Sequence, residues 1–186
     1  MKKCIVVGIG LFALVSCGST ELSSDYFIEH YDRETLTLDL SDEDLVEVPV
    51  FSKYMTGSWL QDVYRIDLSD NDLQRIPVGV FDIFPNLSTI DLSSNDFKFG
   101  SDVRLPKTIK KLSLSDNSLE NLDGFDEYPQ LSKVDLTDNN LEDADLGKLG
   151  GFKSLSELRV EGNNISEGLL QKINKINSTP IQKRAQ

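Results

Sequence analysis

An α/β solenoid of about six stacked coils, with a parallel sheet on its concave side and little helix on its convex side, is the fold this sequence predicts. Three observations predict it. A spaced apolar pattern closing on a polar landmark recurs six times along the chain. The landmark falls at positions 43, 71, 95, 117, 139 and 163, in steps of 28, 24, 22, 22 and 24 residues, the period of an array in which one small unit stacks on the next. At the centre of each copy stands an apolar-x-apolar triplet, the alternation of a short strand with one face buried.

The second copy is the clearest, with Val63, Ile66, Leu68, Asn71 and Leu73 in the patterned positions. Ile66 and Leu68 are placed on one face, and Arg65, Asp67 and Ser69 on the other. The pattern returns as Leu87, Ile90, Leu92, Asn95, Phe97, then as Ile109, Leu112, Leu114, Asn117, Leu119. Leu131, Val134, Leu136, Asn139, Leu141 and finally Leu155, Leu158, Val160, Asn163, Ile165 complete it. One coil leaves its apolar side in water, so the coils must stack, with strands about 4.8 Å apart over a continuous core. The recurring Asn stands where the chain leaves the strand, and its amide is suited to satisfy backbone groups that the turn leaves unpaired. The first copy departs from the pattern, with Thr35 at the leading apolar position and Glu43 in place of Asn. Terminal units of such arrays face a cap or solvent and are often atypical.

The phrase resembles the leucine-rich repeat, LxxLxLxxNxL, of which IDLSDNDL, IDLSSNDF, LSLSDNSL and VDLTDNNL are close copies. The resemblance covers residues 35–165 and implies a curved solenoid that acts as a binding module. Secreted eukaryotic members would be expected to carry disulfide-capped ends, which this chain, with Cys4 and Cys17 only, cannot form.

Residues 1–16 read as a secretory signal: Lys2 and Lys3, then an apolar run over 5–14 that is too short for a permanent span. Leu14, Val15, Ser16 and Cys17 resemble the bacterial lipobox, which implies that Cys17 becomes the first mature residue and carries a thioether-linked diacylglycerol. The alternative is an ordinary signal peptide cut near Ser16 or Gly18 and a secreted product. On the first reading the chain is lipid-anchored in a bacterial envelope, at the outer membrane or cell surface, and its mature form has no disulfide although export permits them. Loss of Lys2 and Lys3 leaves 17 basic against 31 acidic residues, a formal charge of −14. Such a surface disfavours nucleic acid and anionic headgroups, so membrane contact is expected through the acyl chains alone.

Residues 17–25 read as the lipidated Cys and a short polar tether, whose last eight residues reach at most about 28 Å. The repeat domain with both caps is expected over 26–176. Its opening cap is the aromatic stretch 26–31, with His30, the only histidine in the chain, as a packing residue. The longest excursion, 46–62, contains Trp59, read as filling a gap on the convex side, or alternatively as an interface anchor. The returning segments carry Ile76, Phe81, Phe84, Val103, Leu105, Leu122, Phe125, Tyr128, Leu146, Leu149 and Phe152, a second apolar column. Leu169, Leu170, Ile173 and Ile176 form one helical stripe, the closing cap. Residues 177–186 read as a flexible tail, and the sequons at Asn164 and Asn177 as accidental.

Alternation places columns on the concave face, one residue per coil. Thr37, Arg65, Thr89, Lys111, Lys133 and Glu157 make a basic-leaning column beside Asp39, Asp67, Asp91, Ser113, Asp135 and Arg159. A hydroxyl column (Ser41, Ser69, Ser93, Ser115, Thr137) follows, then Asp42, Asp70, Asp116 and Asp138 at the turn. The candidate binding residues are Arg65, Asp67, Asp91, Lys111, Lys133, Asp135 and Arg159. Their mixed charge favours a protein partner, or a polysaccharide held by hydrogen bonds; the alternative is that the columns merely solvate the face, as in a structural envelope lipoprotein without a dedicated ligand. Catalytic residues, cofactors and metals are not expected. The sequence has no phosphate-cradling Gly loop, nucleophile elbow or zinc spacing, and a flat Asp ladder does not converge as calcium requires, so a glycan-processing or metal-dependent enzyme is the least favoured reading. Oligomeric state is left open.

Overall fold

The computed structural model describes residues 22–146 and 154–177. The leader, Cys17, Leu149 and Phe152 lie outside them. Six three-residue strands, β2 (Thr37–Asp39), β3 (Arg65–Asp67), β4 (Thr89–Asp91), β5 (Lys111–Ser113), β6 (Lys133–Asp135) and β7 (Glu157–Arg159), pair in parallel in sequence order. The register matches the columns, with Arg65, Thr89, Lys111, Lys133 and Glu157 in one row and Asp67, Asp91, Ser113, Asp135 and Arg159 in the next.

The stack holds because each coil buries one face. Leu38, Ile66, Ile90, Leu112, Val134 and Leu158 at the strand centres are buried, as are Leu40, Leu68, Leu92, Leu114, Leu136 and Val160 two residues on. Behind them lie the convex apolar residues, from Ile76 to Leu146, with Phe51 set edge-on to Phe84 at 5.2 Å between ring centroids. Tyr128 is the polar exception in this layer. Its hydroxyl accepts from the Leu105 amide (3.1 Å) and donates to the Val103 carbonyl (3.2 Å), joining its own coil to one stretch of the preceding coil.

The Asn column does the joining between coils. Asn95 Nδ2 donates to the carbonyls of Leu68 (2.9 Å), Leu92 (3.2 Å) and Ser93 (3.1 Å), while its Oδ1 accepts from the Leu73 amide (2.9 Å). Asn71, Asn117, Asn139 and Asn163 repeat the arrangement, each reaching into the coil before its own. That geometry explains Glu43. The first coil has no predecessor to reach into, and the Glu43 carboxylate instead meets His30 Nε2 at 3.2 Å, in the opening cap. Burial, and after it the Glu43 charge, push the pKa of the neighbouring Tyr26 hydroxyl up.

Immediately before each landmark residue, Glu43 or Asn, the backbone turns left-handed: Asp42 (φ 54°), Asp70 (55°), Ser94 (53°), Asp116 (55°), Asp138 (54°) and Gly162 (73°). Short polar residues and glycine tolerate this region best, which accounts for the Asp column at the turn. Asp70→Val, placing a β-branched residue there, should lower stability by about 1–2 kcal/mol in urea unfolding, while Asp70→Gly should be close to neutral. Equal effects of the two would remove the backbone explanation.

Both ends are closed. At the start, Ser23 caps α1 (Ser24–Glu29), and β1 (Tyr31–Asp32) adds a seventh strand, antiparallel to β2, so the sheet is not wholly parallel. Leu22 is buried and the helix begins at Ser24, so the expected tether to residue 25 gives way to ordered cap at its end. Trp59 packs against Tyr31 at 5.0 Å and its Nε1 donates to the Thr56 carbonyl (3.2 Å), a filling role for the excursion. α2 (Asp143–Leu146) sits on the convex side, where the Asp143 carboxylate accepts from both the amide and the hydroxyl of Ser166 at the start of α3 (Glu167–Asn177). Ile173 of α3 is buried against the core. Asn177 is not part of a tail: it ends α3, accepting from the Leu158 amide (2.9 Å) and donating to the Leu158 carbonyl (2.8 Å) on the open edge of β7. A side chain so engaged covers the sheet edge.

Candidate binding surface

The concave face is built from residues whose neighbours in the strand are buried leucines, so their side chains have nowhere to go but outward. Asp39, Asp67, Asp91 and Asp135 each use Oδ1 to accept from the amide and the hydroxyl of the Ser or Thr two residues on, the hydroxyl distances being 2.7, 2.7, 2.7 and 2.8 Å. These local turns end the strands. The acidic and hydroxyl columns are therefore one structural device, and the Asp-x-Ser spacing is the signal from which it was readable.

The second oxygen of three of these aspartates faces a cation. Arg65 Nη2 donates to Asp67 Oδ2 (2.7 Å) and to Asp91 Oδ2 (2.9 Å), and Arg159 Nη1 to Asp135 Oδ2 (3.0 Å). Lys133 Nζ donates to Glu157 Oε2 at 2.6 Å. Burial would lower the Arg65 pKa, but the bonds and charges of Asp67 and Asp91 outweigh it and leave it raised. The Lys133 hydrogen bond holds the Glu157 carboxyl below its ordinary range, with smaller help from Arg159 and Lys111. Of the seven candidate residues the structure thus brings six into ion pairs. Lys111, exposed on β5, is the one whose side chain makes no ion pair or hydrogen bond among the described residues.

The surface between Arg65 and Arg159 is a shallow groove of about 180 Å³. Pockets that enclose a small molecule run to roughly 300–1,000 Å³; this one is an open face suited to another surface. Among the described residues no three His, Cys, Asp or Glu side chains gather where a metal ion could be held.

No protein-family model matches the sequence, and no curated protein matches it. Solved structures do. The APL1 leucine-rich repeat domain is 23% identical with a TM-score of 0.53, the match covering 70% of this chain and 34% of that one. A leucine-rich repeat protein of Leptospira interrogans is 25% identical with a TM-score of 0.55, covering 75% of this chain and 34% of that one. The chain has the leucine-rich repeat fold. It spans about a third of the length of these two structures.

Proposed function

We propose that this chain is a lipid-anchored binding module of a bacterial envelope, held to the membrane through Cys17 and engaging a protein partner on its concave face. The observation that carries the binding reading is the face itself: six coils in register present rows of outward polar side chains over a shallow, open groove. Leucine-rich repeat structures as neighbours support a module of this kind. The anchor rests on Leu14 to Cys17. From Cys17 to the buried Leu22 is five residues, a span of at most about 18 Å, so a lipid there would keep the opening cap close to the bilayer.

Cys17→Ser is expected to move the protein, expressed in a bacterium, from the detergent phase to unprocessed precursor or released material. Mature, acylated protein from that variant would refute the anchor, and release of a correctly cut wild-type chain into the medium would favour the secreted form. Capture from envelope extracts with the unlipidated chain as bait should return a protein whose binding is lost when the face is blocked by Thr89→Tyr. Capture of polysaccharide alone would shift the partner class. The internal ion pairs favour a second reading, a structural lipoprotein whose face needs no ligand; capture of nothing would support it. Release of fragments from cell-wall material would instead indicate glycan processing.

A further inference from the structure

We propose that the partner docks through a single carboxylate placed over Lys111, the one cation of the concave columns whose side chain makes no ion-pair contact among the described residues. This rests on the concave face being the binding surface.

One departure from the repeat falls in the same strand as this lysine. At coil four the column that reads Asp67, Asp91 and Asp135 holds Ser113 instead, and the residue two before it is Lys111. The flanking acids are occupied: Asp91 holds Arg65 on one side, and Asp135 holds Arg159 on the other. Lys133, the next cation in the row, is turned to Glu157. What β5 presents outward is Lys111 and, two and four residues on, the Ser113 and Ser115 hydroxyls, whose oxygens are 3.4 Å apart. An ammonium and hydroxyl donors side by side suit a carboxylate.

The surroundings set the size of the charge that fits. Asp91 and Asp135 stand opposite Ser113 on the strands on either side, neighbouring strands lying about 4.8 Å apart, in a chain of net charge −12. An extended polyanion would run from Lys111 straight onto them and be repelled. One Asp or Glu side chain, flanked in the partner by neutral or basic residues, avoids that repulsion and lets the basic neighbours face the aspartates.

The test is a peptide-display selection against the unlipidated chain, followed by titration of the recovered peptides onto wild type and variants. Peptides with one Asp or Glu among neutral and basic residues should be enriched. Lys111→Met should weaken them about tenfold or more, Arg65→Met much less. Ser113→Asp, which restores the residue that the neighbouring coils carry, should neutralise Lys111 from within and weaken them similarly, with unfolding unchanged. Replacing the peptide's acid by its amide should abolish the difference between wild type and Lys111→Met. If Thr89→Tyr blocks binding while Lys111→Met and Ser113→Asp do not, the face binds but the carboxylate assignment is wrong. If none of the three matters, both readings fail. Selection of polyacidic peptides, or tight binding of inorganic polyphosphate, would overturn the single-carboxylate geometry.

Discussion

Asn95→Ala should destabilise the solenoid by roughly 3 kcal/mol, although it deletes only a small polar group. The residue is buried, and its amide serves one backbone N–H and three carbonyls across two coils. Truncation leaves these groups facing a void in which water has little room, and each buried group left unsatisfied costs about 1–3 kcal/mol. Some of that is recovered because carbonyls with a second partner are less affected than a lone N–H. The Leu73 amide loses its acceptor outright, so its hydrogen exchange should accelerate more than that of amides in coils five and six. Asn164→Ala is the control, since that side chain is exposed and makes one long bond, 3.5 Å, to Glu142; it should change stability by less than about 0.5 kcal/mol. If Asn95→Ala is as mild as the control in urea unfolding, the inter-coil bonds contribute nothing net.

Leu114→Ala should cost about 2 to 5 kcal/mol. Leu114 is fully buried in mid-array, with coils stacked on both sides, so the cavity cannot collapse by moving a chain end. Its neighbour Ser113 faces outward, and its hydroxyl meets only the Ser115 hydroxyl at 3.4 Å. Ser113→Ala should therefore shift stability by less than about 0.5 kcal/mol. The contrast between adjacent positions is the sharpest test of the strand alternation. Comparable losses in denaturant midpoint at the two sites would overturn it, and with it the columns of the concave face.

The core was legible because burial follows period. A leucine at a patterned position can satisfy the stack in only one orientation, so Leu38 through Val160 could be assigned by counting along the chain. The opening cap and the filling role of Trp59 were legible from composition. The seventh strand was not, since β1 is two residues long and antiparallel, and its pairing with β2 depends on a tight local return, not on any repeat. Asn177 was missed for a related reason. Its polar surroundings read as tail, and its function appears only when α3 is laid against the bare edge of β7.

The site divides along the same line. The sequence by itself determined which residues face outward, and in which rows, since a period of two in the strand and of 22 to 28 along the chain leaves no freedom in either. It also contained the two local devices, Asp-x-Ser turns and a left-handed Asp, Ser or Gly before each Asn, because both act within three residues. Only the tertiary structure decided which charges cancel. Arg65 could have faced Asp39, Asp67 or Asp91, and Lys133 could have faced Asp135 or Glu157. Of the choices made, Asp67 lies in the same strand as Arg65, while Asp91 for Arg65 and Glu157 for Lys133 depend on side-chain reach between strands whose residues are 26 and 24 positions apart. Those choices leave the Lys111 ammonium with no ion-pair contact among the described residues, an outcome of side-chain geometry that a column of letters does not record.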